Sequence, residues 1–351
     1  MKHYQLLAGS VMFSLAALPA AAQSNVTFYG AVDAFVGYAK GDRAHDWVVD
    51  SGGLEPSRFG FHGTEDLGNG LKAVFRLEQG FAVDTGTVVP PNGTTGLAFS
   101  RQALVGLQGA MGTLTLGRQH TPGYWMSLLR YDAMMGGPFS PVTALAAQGG
   151  MSIVSTGPGR ANNSVNYNLP KFGGFTASVM YGFGLESVVN ENAGHFAGLS
   201  LNYANGPLSV GYVFHRLDTS TAAAPIVDRA QREHMVGASY DFGAAKVIAS
   251  YQTLDGDVAA EGRLWSLGAR IPVGTAGNIQ VAYAKYRSDA SDSDSRSYAV
   301  GYSHDLSKRT ALYARVARAD NDDAVARNVV TALAVAGGST TLVGVGMRHS
   351  F

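Results

Sequence analysis

The sequence contains no cysteine, which excludes a disulfide framework, thiolate zinc sites, iron–sulfur clusters and a cysteine nucleophile. Charge is sparse, with Asp, Glu, Lys and Arg making up 15% of 351 residues, where a typical soluble domain carries about 25%. Neither sign is in excess, since 26 basic residues face 26 acidic ones, and a nucleic-acid partner would call for a basic surplus or stripe. No stretch outside the N-terminus approaches the roughly 18 uninterrupted apolar residues of a transmembrane helix. HExxH, GxSxG, GxGxxG and Gly-Lys-Ser/Thr phosphate-loop patterns are all missing, and the nine histidines are scattered without metal-ligand spacing. No cofactor, metal or enzymatic chemistry is expected. Glycine is plentiful instead, at 45 of 351 residues, about 13% against a usual ~7%.

The N-terminus has its own logic. Lys2 and His3 precede an apolar run from Leu6 to Leu18, followed by Ala20-Ala21-Ala22. A basic start, a short apolar stretch and an A-x-A site predict a secretory signal peptide over 1–22, cut after Ala22. The apolar run is too short for a membrane anchor. The remainder, 23–351, reads as a single exported domain.

From Ser24 onward the chain alternates with period two. Val26, Phe28, Val32, Ala34 and Val36 share one face, and Thr27, Tyr29 and Asp33 the other. Phe175, Ala177, Val179, Tyr181 and Phe183 oppose Thr176, Ser178 and Met180; Ala197, Leu199, Leu201 and Tyr203 oppose Ser200 and Asn202. That is the periodicity of strands. Seven short turns rich in Gly, Pro, Asn and Asp, such as Asp66-Leu-Gly-Asn-Gly70 and Ala204-Asn-Gly-Pro207, punctuate the runs. Eight longer connections lie near 39–56, 82–99, 119–159, 184–194, 216–232, 254–262, 287–296 and 319–340. Fifteen connections join sixteen strands.

A soluble β-sandwich would also alternate, but strict alternation of short and long connections gathers all long loops at one end, as in membrane barrels. Aromatic residues also collect near strand ends, as at Tyr212/Phe214, Tyr240/Phe242 and Tyr283/Tyr286, where an interfacial girdle would lie. The expected fold is all-β: a 16-stranded antiparallel transmembrane β-barrel with apolar side chains turned to lipid and polar ones to the lumen. Closure leaves no unpaired strand edge in hydrocarbon, and sixteen strands enclose an aqueous channel.

Nine stretches from residue 23 to the end then resemble, in order, the trimeric general diffusion porins of Gram-negative outer membranes, in the β-proteobacterial branch. They are Asn25-Val-Thr-Phe-Tyr-Gly30, Ser57-Arg-Phe-Gly-Phe61 leading into Gly63-Thr-Glu-Asp-Leu-Gly68, Leu71-Lys-Ala-Val-Phe75 with Leu77-Glu78, Arg101-Gln-Ala-Leu-Val-Gly106 and Leu116-Gly-Arg-Gln119. Asn162-Asn-Ser-Val-Asn-Tyr167, Gly237-Ala-Ser-Tyr-Asp-Phe242, Leu306-Ser-Lys-Arg-Thr310 and Val345-Gly-Met-Arg-His-Ser-Phe351 complete the set. The resemblance implies an outer-membrane homotrimer, surrounded by lipid and lipopolysaccharide, passing small anionic or neutral solutes by diffusion. It implies that the connection 82–99 latches over a neighbouring subunit and that 119–159 folds inward as a constriction loop. It also gives Phe351 a role as the signal read by the outer-membrane assembly machinery. Val343, Val345, Met347 and Phe351 share one parity, with His349 among them.

The family carries a ladder of arginines on the wall opposite the inward loop. By motif, Arg58, Arg101 and Arg160 match ladder positions, and Arg118, within Leu-Gly-Arg-Gln, is expected to face the pore as well. Parity supports Arg58, because Phe59 and Phe61 then point to lipid; it leaves Arg101 ambiguous. Lys72 and Arg76 oppose Phe75 and Leu77 and should face water. Any one arginine alone reads as a solvated side chain at a strand end, but a charge facing lipid near the midplane costs roughly 2–4 kcal/mol. The inward loop has one acid, Asp132, and one base, Arg130. The arginines therefore look unopposed apart from Asp33 and Glu78 on the wall. Unit charges 4 Å apart interact by ~1 kcal/mol in water and ~4 kcal/mol at an effective dielectric near 20, so a throat lined by cations should favour anions. Acids at 289, 292, 294, 320, 322 and 323 read as solvated loops rather than a calcium site. Two alternatives remain: a substrate-specific anion channel with a saturable site, and an outer-membrane barrel enzyme for which no local signature exists.

Overall fold

A computed structural model of the chain describes residues 25–88, 98–184, 194–219, 229–257, 261–330 and 333–351. The signal peptide expected over 1–22 lies outside them, as do residues 89–97 of the second long connection. The strands are Asn25–Lys40 (β1), His45–Ser51 (β2), Arg58–Gly68 (β3), Leu71–Gly80 (β4), Gln102–Gly109 (β5) and Gly112–His120 (β6). After a helix over Pro141–Gln148 (α1) come Arg160–Asn168 (β7), Phe175–Phe183 (β8), His195–Asn205 (β9), Leu208–Asp218 (β10) and Ala230–Asp241 (β11). Lys246–Gly256 (β12), Gly262–Val273 (β13), Gly277–Ser288 (β14), Ser295–Asp305 (β15), Thr310–Asn321 (β16) and Ser339–Ser350 (β17) finish the sheet.

Neighbours along the chain pair antiparallel, and β1 pairs with β17 to close the ring. The seventeen segments make sixteen barrel strands, because β2 and β3 are two halves of one. Residues 34–40 of β1 pair with 45–51, and residues 25–31 pair with 58–64. The first connection, expected to run as a loop over 39–56, is thus a tight link at 41–44, a strand and a break at 52–57. The break has a local cause. The buried carboxylate of Asp33 accepts the backbone N–H groups of Gly53, Leu54 and Glu55 at 3.1, 2.9 and 2.7 Å, and the Tyr313 hydroxyl. Those amides are satisfied from inside the barrel, so 52–57 leaves the sheet without orphaned donors.

Side chains alternate as a lipid-immersed barrel demands. On the outer face Val105, Leu116, Leu267 and Val300 stand exposed; on the inner face Ser200, Asn202, Ser266 and Gln280 are buried. The inner face is covered because the long segment between β6 and β7 packs against it. Tyr131 donates from its hydroxyl to Asn202 Oδ1 at 2.6 Å. Phe139 meets Phe35 edge-on at 5.2 Å between ring centres. The helix α1 lies over β14 and β15, with Leu145, Met151, Leu264 and Tyr286 forming an apolar cluster beneath it. Ser140 caps α1 by accepting the Thr143 N–H at 3.0 Å, and Pro141 opens its first turn. The wall admits this packing at glycines: a Cβ built on Gly237 would sit 2.3 Å from the Tyr131 ring.

Candidate functional site

Seven side chains from six parts of the sequence form a continuous chain of polar contacts along the inner wall. Arg348 on β17 approaches Glu55 at 3.4 Å, and Glu55 pairs with Arg58 at 2.6 Å. Arg58 approaches Glu78 at 3.5 Å, and Glu78 pairs with Arg101 at 2.6 Å. Arg101 donates to the Tyr124 hydroxyl at 3.1 Å, as does Arg160 at 3.3 Å. Four guanidiniums therefore share two carboxylates and one phenol. Tyr29 adds a further donor to Glu78 at 2.8 Å.

Each member is held by its element. Alternation on β3 and β4 turns Arg58 and Glu78 inward while Phe59 and Leu77 point out. Arg101 precedes β5, and its backbone N–H donates to the Glu78 carbonyl at 3.0 Å. Tyr124 sits at the start of the inward segment, stacked on His120 with ring centres 3.8 Å apart and planes at 8°. The Arg160 guanidinium lies 5.1 Å from the Tyr124 ring centre, within cation–π range. Burial would raise the Tyr124 phenol, yet Arg101 and Arg160 hold it below its ordinary value.

The remaining residues singled out from sequence fall elsewhere. Arg76 faces inward, 6.0 Å from the Tyr29 ring centre, and with Arg130 lines a cavity of about 460 Å³ on the short-turn side of the inward segment. Lys72 shares that parity nearer the turn and is exposed. Asp33 holds the strand break rather than facing a guanidinium. Asp132 is buried in a knot of its own, accepting Met134 N–H at 2.9 Å, Gly136 N–H at 2.8 Å and the Ser140 hydroxyl at 2.6 Å. Burial pushes its carboxyl above the usual value against the pull of those three donors. Arg118 pairs across the sheet with Ala103, one step along from Leu116 opposite Val105, and so takes the outward parity; it donates to Ser100 O at 2.7 Å and to Asn162 Oδ1. Phe351 exchanges backbone hydrogen bonds of 3.1 and 3.0 Å with Gly30, and its ring fills the space a Cβ on Gly30 would need.

Three members were not read from sequence. Glu55 falls within 39–56, which the sequence predicts to be a loop. Arg348 was identifiable by parity, since Val345 and Met347 face out. Tyr124 gave no signal, because an inward segment has no strand period. Other inward groups tie the segment to the wall. Glu233 accepts the N–H groups of Ser152 and Ile153 at 2.7 and 3.0 Å, and Arg315 donates to Gly53 O and Met134 O at 3.0 and 3.1 Å. The rim acids Asp289, Asp294 and Asp320 face Arg263, Lys285, Arg296 and Arg318, and no cluster of metal-ligand type occurs among the described residues.

A closed sixteen-stranded barrel with an apolar outside, a polar inside and charged side chains on its inner wall defines an outer-membrane channel. Residues 8–324 match the Gram-negative porin family, and the chain belongs to it. It is 37% identical to outer membrane porin protein 32 of Delftia acidovorans over 95% of both chains. A Bordetella pertussis outer membrane porin protein is 30% identical over 99% of both. Among solved structures, an anion-selective porin from Comamonas acidovorans superposes with a TM-score of 0.78 at 35% identity, covering 93% of this chain and 100% of that one. The protein is a channel of the outer membrane, not an enzyme.

Proposed function

We propose that this porin passes small hydrophilic solutes passively with a preference for anions, and that the inward segment 119–159 with the Arg58–Glu78–Arg101–Arg160 wall forms the narrowest part. One observation carries the reading: four guanidiniums share only two carboxylates along that wall, leaving positive charge where the lumen is most filled. The anion-selective description of the Comamonas acidovorans relative points the same way. Arg76, Arg130 and Lys72 extend the positive lining toward the short-turn end, while Arg118, Asp33 and Asp132 support the wall and segment.

The chain further fits a cleaved leader over 1–22, a homotrimer within lipid and lipopolysaccharide, and recognition of Phe351 by the assembly machinery. The test of selectivity is the zero-current potential of the mature protein in a planar bilayer under a KCl gradient. A chloride preference of a few-fold is expected; a potassium preference would overturn the reading.

A further inference from the structure

Two cavities flank the inward segment, and their linings differ in the balance of polar and apolar side chains. The one on the short-turn side is lined by amides and hydroxyls, among them Thr115, Gln119, Asn166 and Asn202, beside Leu104 and Trp125. The one on the long-connection side, about 580 Å³, has Arg101 and Arg160 as its cations. Its apolar wall is supplied by Phe81, Pro138, Ala144, Ala147 and Val329, hydroxyls such as those of Ser57, Ser100 and Thr143 complete the lining, and Asp50 is its one acid. That size lies within the range of small-molecule sites, roughly 300–1,000 Å³.

The apolar wall is constructed, not incidental. Ala144 and Ala147 are three residues apart on α1, so their methyl groups share one helical face. Val329 is brought there from the last long connection by a two-way clasp: Gln148 Nε2 donates to Asn328 O at 2.6 Å, and Asn328 N–H donates to Gln148 Oε1 at 3.0 Å. On the cationic side, the Nε of Arg160 is buried without a protein partner. A small hydrated anion gains nothing from methyl groups. An anion with an apolar body gains on both sides, with its carboxylate toward the guanidiniums and its body against α1 and Val329.

We propose that this outer cavity is a binding station for carboxylates carrying an apolar body, aromatic or branched aliphatic. The proposal names a solute class for the channel described above and rests on its anion preference. It makes the pore a retarding filter for such acids, which pause against the wall before passing the arginines.

The experiment is current block of the mature protein in planar bilayers by benzoate, acetate, inorganic phosphate and benzyl alcohol, each in the same KCl. Benzoate is expected to halve the current at roughly tenfold lower concentration than acetate; tenfold is about 1.4 kcal/mol, the yield of ~55 Å² of apolar surface at ~25 cal/mol per Å². Phosphate should resemble acetate, and benzyl alcohol should be weaker than benzoate. Ala144→Ser with Ala147→Ser should narrow the benzoate-to-acetate ratio, Ala147→Leu should widen it, and Arg160→Gln should weaken both carboxylates together. A ratio near one in the wild type, or benzyl alcohol blocking as well as benzoate, overturns the proposal. The KCl zero-current potential separates the two levels. If it stays chloride-selective while the ratio is near one, only the station fails; if it is potassium-selective, the selectivity reading beneath it fails.

Discussion

Glu78 is the residue at which the charge of the inner wall is decided. Its carboxylate is almost fully buried and sits between Arg58 and Arg101. A buried carboxylate in that position costs desolvation and is held by two cations and the Tyr29 hydroxyl. Replacing it with glutamine keeps the shape and removes one of two negative charges set against four guanidiniums. Glu78→Gln should therefore raise the chloride-to-potassium permeability ratio roughly two- to fivefold, since one unit charge acting on an ion across about 8 Å of mostly aqueous lumen is worth about 0.5–1 kcal/mol. Arg101→Gln should lower the ratio by a similar factor. Zero-current potentials that leave both variants at the wild-type value would show that this wall does not face the ion path. Legibility at this scale was uneven. Motif position found Arg58, Arg101 and Arg160, whereas Glu55 and Tyr124 were hidden because they lie outside the strand period, in the break at 52–57 and in the inward segment. Arg118 teaches the reverse. Leu114 and Leu116 already placed it on the outward parity, and motif resemblance argued it into the pore.

The element that distinguishes this barrel from an empty pipe is the segment between β6 and β7. Strand periodicity predicts the wall but not the path of such a segment, whose anchors are single contacts: Tyr131 on Asn202, Ile153 and Ser152 on Glu233, Met134 on Arg315. The high glycine content was legible, and its purpose becomes clear at particular positions. The Tyr131 ring occupies the space above Gly237 on β11, where an added Cβ would come within 2.3 Å of two of its ring carbons. A ring locked by a hydroxyl bond at 2.6 Å cannot give way at its tip. Gly237→Ala should push Tyr131 inward, break that bond and loosen the segment. The expected outcome is a noisier channel with altered unit conductance, and a loss of stability of about 1–3 kcal/mol typical of overpacking. An alanine variant with wild-type conductance, noise and thermal unfolding would mean that the segment is not seated by this contact.

At the scale of the whole molecule, the outer surface is not uniform around the ring. Every strand from β8 to β15 turns at least one large aromatic outward: Tyr181, Tyr203, Tyr212, Tyr240, Tyr251, Trp265, Tyr283 and Tyr298. Such rings belong at a membrane–water interface. The outward residues of β5 and β6 include none, with Ala103, Val105 and Leu107 on one and Leu114, Leu116 and Arg118 on the other, and β16 and β17 share this lack. A face that is apolar yet lacks interfacial aromatics suits contact with another protein surface better than contact with lipid headgroups. Sequence alternation already turns these side chains outward on two strands joined by a short turn, and the register sets β5 and β6 side by side. If that face packs against a neighbouring subunit of the proposed trimer, an arginine there should act differently from one on the girdled side. Leu116→Arg and Leu267→Arg alter side chains of like exposure, 47% and 52%, and in lipid each would cost up to about 2–4 kcal/mol. Leu267→Arg should leave the oligomer band on an unheated gel intact, with a lower melting temperature at most. Leu116→Arg should convert that band to folded monomer that still shifts on boiling, because the barrel survives and the contact does not. Retention of the oligomer by Leu116→Arg, together with its loss in Leu267→Arg, would place the subunit contact on the opposite side of the ring.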